Sequence, residues 1–122
     1  MITCKLGEKE YHIDFISGRA LREIGPAEEM YRRVMMASTA AANGQDLPED
    51  TPMMADAMDT MVKWFCVVFG GQFSVEEVYD HYPVDRLMHD MALTLIAVQS
   101  QTTTVLSEFP TKPAATEKAK NA

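Results

Sequence analysis

The side chains on which this chain could do chemistry are few, and their spacing does not suit it. Among 122 residues there are three histidines, two cysteines and 18 carboxylates. His12, His81 and His89 stand in no HExxH, CxxC or triad-like pattern. Such spacings are what bring metal ligands, or a nucleophile and its base, to one point. His12 is expected on the exposed face of a strand, and all three read as surface or boundary residues. Asp56/Asp59 and Asp85/Asp90 can be drawn as carboxylate pairs, the first on one face if the segment is helical. Helix starts account for Asp50, Glu76, Glu77 and Asp85 more simply, because negative charge there is stabilised by the helix dipole. Gly70-Gly71 lacks the wider glycine pattern and the following lysine of a phosphate-binding loop. Cys4 and Cys66 each fall in an apolar pattern and are expected to be buried, reduced thiols. No catalytic residue, metal ligand or cofactor is assigned, and the reading is a binding module rather than an enzyme.

Charge narrows the partners. The net charge is −7, and it is uneven. Residues 46–90 hold ten acidic side chains against Lys63 and Arg86, whereas residues 1–45 are balanced at six of each sign. Nucleic acid is bound by replacing phosphate counterions with Lys and Arg, so this middle region should repel it. A solvated, solubilising surface is the plain reading of the acids and docking to a basic partner the sharper one. There is no signal-peptide pattern and no run of about 18 apolar residues, so a soluble cytoplasmic protein off the membrane is expected.

The elements that would position these residues follow from periodicity. Ile2, Cys4 and Leu6, then Tyr11, Ile13 and Phe15, alternate with polar residues around Gly7-Glu8-Lys9. This predicts a β-hairpin with all six apolar residues on one face. A lone hairpin is marginal in water, so it must pack on helices or pair with another copy. Ser17 is expected to cap a helix carrying Ala20, Leu21 and Ile24. Gly25-Pro26 should kink or break it, and helix should resume over Glu28–Ala42. Ala40–Asp50 reads as a mobile surface loop. Asp50-Thr51-Pro52 reads as a helix start, leading into the stripe Met54, Met58, Met61, Phe65 and Val68. Gly70-Gly71 should end that helix. Ser74 and Glu77 form a capping box, with Phe73 and Val78 as its hydrophobic staple. Beyond Pro83 a last helix is expected on Val84, Leu87, Met91, Leu95, Val98, Thr102 and Val105. The fold class is therefore mainly α: a small helical domain over residues 1–106 with an N-terminal β-hairpin, and a disordered tail over residues 107–122.

Ten methionines are many for this length. Met58 and Met61 read as core, since Met fills irregular gaps. Met35, Met36, Met53 and Met54 flank the acidic loop and read as an adaptable apolar contact surface. The apolar hairpin face, through Ile2, Leu6 and Tyr11, is the second candidate for partner contact, and the hairpin edge could pair between copies. A helix-turn-helix reading of the glycine corner fails, because its second helix, VEEVYDHY, would set acids against phosphates.

Two blocks resemble a known family. MVKWFCVVFGGQFSVEEVYDHYPVDRLMHDM is similar to the FVxxVFGNQFTxDDxYDGL block of tail assembly chaperones from long-tailed phages, particularly those of Gram-positive hosts. DFISGRALREI, following a hairpin, resembles the DFxxARxxREA opening of the same proteins. The matches cover Asp14–Ile24 and Met61–Met91. Pro26, His81-Tyr82 and the longer acidic loop depart from the pattern. The resemblance implies a phage or prophage protein of the host cytoplasm that is absent from the mature virion. It implies binding to the tape measure protein, keeping it soluble, and help in starting the tail tube, with the tail tube protein as a further partner. It also implies a longer form made by frameshifting near the end of the gene. A structural tail or head–tail protein retained in the virion is the second reading, and an acidic DNA-mimic regulator of a host protein the third.

Overall fold

A computed structural model describes the backbone of residues 2–107 and the side chains of residues 2–103. The fold is mainly α with an N-terminal antiparallel hairpin. Strands β1 (Ile2–Leu6) and β2 (Lys9–Ile13) pair from Ile2↔Ile13 to Leu6↔Lys9. The two-residue turn Gly7-Glu8 joins them, with Gly7 at φ 59, the sign that hairpin turns require at that position. Strand alternation buries Cys4 and Leu6 and sets Ile2, Tyr11 and Ile13 half-buried against the same core. Phe15 does not join that face. It lies past the end of β2 and is 73% exposed, because the ladder stops at Ile13 before the period of two can carry it inward.

The helices are α1 (Gly18–Arg22), α2 (Ile24–Ala42), α3 (Met54–Val68), α4 (Val75–His81) and α5 (Val84–Ser107). Ser17 caps α1, its hydroxyl oxygen accepting from the Ala20 N–H at 3.1 Å. The break between α1 and α2 falls at Glu23, not at Gly25-Pro26. Pro26 instead sits in the first turn of α2, where a missing N–H costs no helical bond. The start of α3 is also displaced from the sequence reading. Met53 is the N-cap residue and makes no side-chain cap bond, while Pro52 lies ahead of the helix. The Thr51 hydroxyl donates to the Pro48 carbonyl at 2.7 Å, and the Asp50 carboxylate faces Arg32 and Arg33 on α2.

The glycine corner forms as its residues dictate. Gly70 and Gly71 adopt φ 67 and 74. The Gly70 N–H donates to Val67 and the Gly71 N–H to Cys66, both at 3.0 Å, which satisfies the last carbonyls of α3 in a Schellman motif. Two residues on, the capping box closes: the Glu77 N–H donates to the Ser74 hydroxyl at 3.1 Å and the Ser74 N–H to the Glu77 carboxylate at 2.9 Å. Phe73 and Val78 are both buried, as a staple requires.

Helix α3 is the hub, touching α1, α2, α4 and α5. Its Met61, Val62, Phe65 and Val68 are buried, and full burial of a side chain of this size stabilises by about 1.5–3 kcal/mol. Phe65, Phe69, Phe73 and Tyr82 stack at centroid distances of 5.1–6.0 Å, and Tyr11 meets Phe73 edge-on at 5.0 Å. The hairpin is thus docked on the corner. Two polar bonds secure it, from the Gly7 N–H to the His81 carbonyl and from the Gln72 amide to the His12 carbonyl, both 3.1 Å. The Trp64 indole N–H donates to the Ala20 carbonyl at 2.8 Å and fastens α1 to α3. On α5, Leu87, Met91, Leu95 and Val98 form the buried stripe, while Val84 is 70% exposed, one turn ahead of the point where α5 meets the core. The expected flexible tail, residues 107–122, falls outside the described residues beyond Ser107. Among the described residues, no helix is long and apolar enough to cross a membrane.

Candidate functional site

The apolar arcs of α2 and α5 are wider than the core uses. On α2, Ile24, Ala27, Val34 and Ala40 turn inward. Met35 and Met36 follow Val34 directly and so lie about 100° and 200° around the helix from it. They are 46% and 50% exposed. On α5, Leu95 is buried and Ile96, the next residue, is 55% exposed. The surplus from both helices lines one groove of about 800 Å³, with the loop after α2 reaching it through Gln45, Asp46 and Pro48. Ala40 and Ala92 contribute small side chains to its lining, which keeps it open between the larger walls of Tyr31, Met36, Leu95 and Ile96.

The groove's electrostatics are set by four residues of α2 and two beyond it. Glu29 accepts from Arg32 at 2.6 and 3.2 Å and from Arg33 at 2.8 Å. Hydrogen bonds from those two guanidinium groups hold its carboxyl at about 2, against the ordinary 4.5. The Asp50 carboxylate lies 3.8 Å from Arg32 and 3.6 Å from Arg33. Arg32 also reaches the Met36 sulfur at 3.0 Å. The one cation in the groove wall is therefore answered within the chain. Glu28 accepts from the neutral Gln99 amide across the α2–α5 seam. Neither Glu28 nor Asp46 forms an ion pair among the described residues.

Of the residues singled out from sequence, Met35 and Met36 line this groove, and Met53 and Met54 do not. Those two are exposed at the head of α3, 72% and 58%. The hairpin residues lie elsewhere again. Leu6 is buried in the core, and Ile2 and Tyr11 are packed half-buried against it. The seven residues thus form three separate groups rather than one surface. Ile96, Tyr31 and the neighbouring Leu93, 52% exposed, were not singled out. Their signal is present: Leu93 and Ile96 are large apolar residues off the Leu87–Met91–Leu95–Val98 stripe.

The chemistry-bearing groups are dispersed. His12, His81 and His89 are all exposed. The carboxylate pairs drawn from sequence do not act as pairs: Asp59 accepts the Tyr79 hydroxyl and Asp90 accepts the Tyr82 hydroxyl. Burial, and then the carboxylate bond, raises both phenols. Cys4 is buried and Cys66 half-buried, and both are free thiols. Among the described residues, no three His, Cys, Asp or Glu side chains are grouped to hold a metal ion.

The family model described as phage tail chaperone protein matches residues 1–121. No curated protein and no solved structure matches the chain.

Proposed function

This chain belongs to the phage tail chaperone protein family, and from that membership we propose that its part in tail assembly is to bind the tape measure protein and keep it soluble until the tail tube begins to form. The family match over residues 1–121 is the observation that carries this reading. The α2–α5 groove supports it, because a chaperone for an extended helical client needs accessible apolar contacts on a charged, soluble body, and flexible methionines adapt to more than one segment. The role asks for binding alone, with no bond made or broken, and for release of the client into a particle that does not retain the chaperone. Met35 and Met36 are the client contacts assigned to the groove. Met53 and Met54 form a second exposed patch; Ile2 and Tyr11 offer a client only their half-exposed surface, and Leu6 would engage one only if the hairpin lifted from the core.

Co-expression tests the reading. The tape measure protein of the same phage should move from the pellet into the soluble fraction when this chain is present, and the two should co-purify. A client that stays equally insoluble with and without the chain would refute it.

A further inference from the structure

We propose that the α2–α5 groove recognises one amphipathic α-helix of another polypeptide, apolar along one stripe and bearing Lys or Arg near both ends. In taking the occupant to be a client, this rests on the chaperone reading. The groove follows α2 from Glu28 to the loop beyond Ala42. That stretch is about 20 Å, or some 14 residues of helix. Helix-in-groove recognition uses apolar anchors at i, i+3, i+4 and i+7, and Met35, Met36 and Ile96 present exposed apolar surface for them.

Charge selects the occupant. Three charged side chains line the groove: Glu28 toward one end, Asp46 toward the other and Arg32 between them. Arg32 is neutralised by Glu29 and Asp50, which leaves a carboxylate at each end. A helix with cations at both ends meets both. A second copy of this chain fits poorly, because two-fold pairing would set carboxylate against carboxylate at both ends on a molecule of net charge −7.

Isothermal titration of the full chain tests this with two synthetic peptides of about 18 residues. They share a leucine stripe, and one has lysine pairs at both ends where the other has glutamate pairs. The lysine peptide should bind about tenfold more tightly or better, with the preference shrinking as salt rises from about 50 to about 500 mM. Asp46→Lys should cut that preference, and Met36→Asp with Ile96→Asp should abolish binding. Both positions are half exposed, so circular dichroism and the thermal midpoint should be unchanged. Equal affinity for the two peptides overturns the proposal. So does binding that survives the double substitution, or binding seen only after residues 108–122 are removed, which would make the chain's own C-terminal segment the occupant. If the double variant still solubilises the tape measure protein, the groove is the wrong surface and the chaperone reading stands. If the wild-type chain binds the lysine peptide yet leaves that protein insoluble, helix recognition stands and the chaperone reading falls.

Discussion

Cys4 and Cys66 show how position fixes the chemistry of a side chain. Burial, reinforced by the charge of Asp90 and by Cys66, pushes the Cys4 thiol up to about 12. Burial, with Glu77 nearby, pushes Cys66 to about 11. Only a thiolate is a good nucleophile, so both should be slow to alkylate at pH 8, whereas the denatured chain should react at two sites at once. Mass spectrometry after timed iodoacetamide treatment checks this, and rapid labelling of Cys4 in the folded protein would contradict it. The sign for stability follows. Both thiols ionise near 9.0 when unfolded and higher when folded, so their contribution is whole below pH 9 and is lost as pH rises from 9 toward 11–12. The sequence showed that both cysteines sit in apolar patterns. It could not show that Cys66 stays half-buried, which depends on how α3 packs against its neighbours, or that Asp90 lies near Cys4, which depends on how the hairpin and α5 meet.

Among the elements, local signals were read most faithfully where the reason is local. The capping box at Ser74, the Ser17 cap and the glycine stop need only a few neighbouring residues to form, and all three stand where the sequence set them. Pro26 and the Asp50-Thr51-Pro52 start were displaced for the complementary reason. A proline is acceptable in a first turn as well as at a break, and Asp50 was drawn away by arginines some 17 residues earlier in the chain. The end of α3 allows a clean test. An added Cβ at Gly70 would meet no atom within 4 Å, so substitution there strains only the backbone at φ 67. Gly70→Ala should lower stability by about 1–2 kcal/mol, and Gly70→Asn by less, since Asn tolerates the left-handed conformation. Urea unfolding measures both. Equal stability of all three chains would mean that the corner does not need that conformation.

For the molecule as a whole, the layered result is a helical body around α3 with the hairpin fastened on one side and an open groove on another. The helical class and the hairpin were legible because hydrophobic period alone decides them. The groove was not, since it exists only through the pairing of α2 with α5, and no periodicity names which helix faces which. Met35 and Met36 were legible as adaptable methionines flanking the acidic loop, while Ile96 needed the α5 partner to acquire meaning. If the proposed role holds and the chaperone is released before completion, the chain should be missing from purified phage particles by quantitative mass spectrometry while abundant in infected cells. Stoichiometric recovery from particles would favour a structural tail protein instead. Trp64 carries one further consequence. It is the chain's only tryptophan, buried against α1 and bonded to Ala20, and no residue around its own small cleft borders the groove. Its intrinsic fluorescence will therefore follow loss of the α1–α3 contact and stay blind to a guest between α2 and α5. One cuvette can then report integrity through the native indole while a label on the guest reports occupancy.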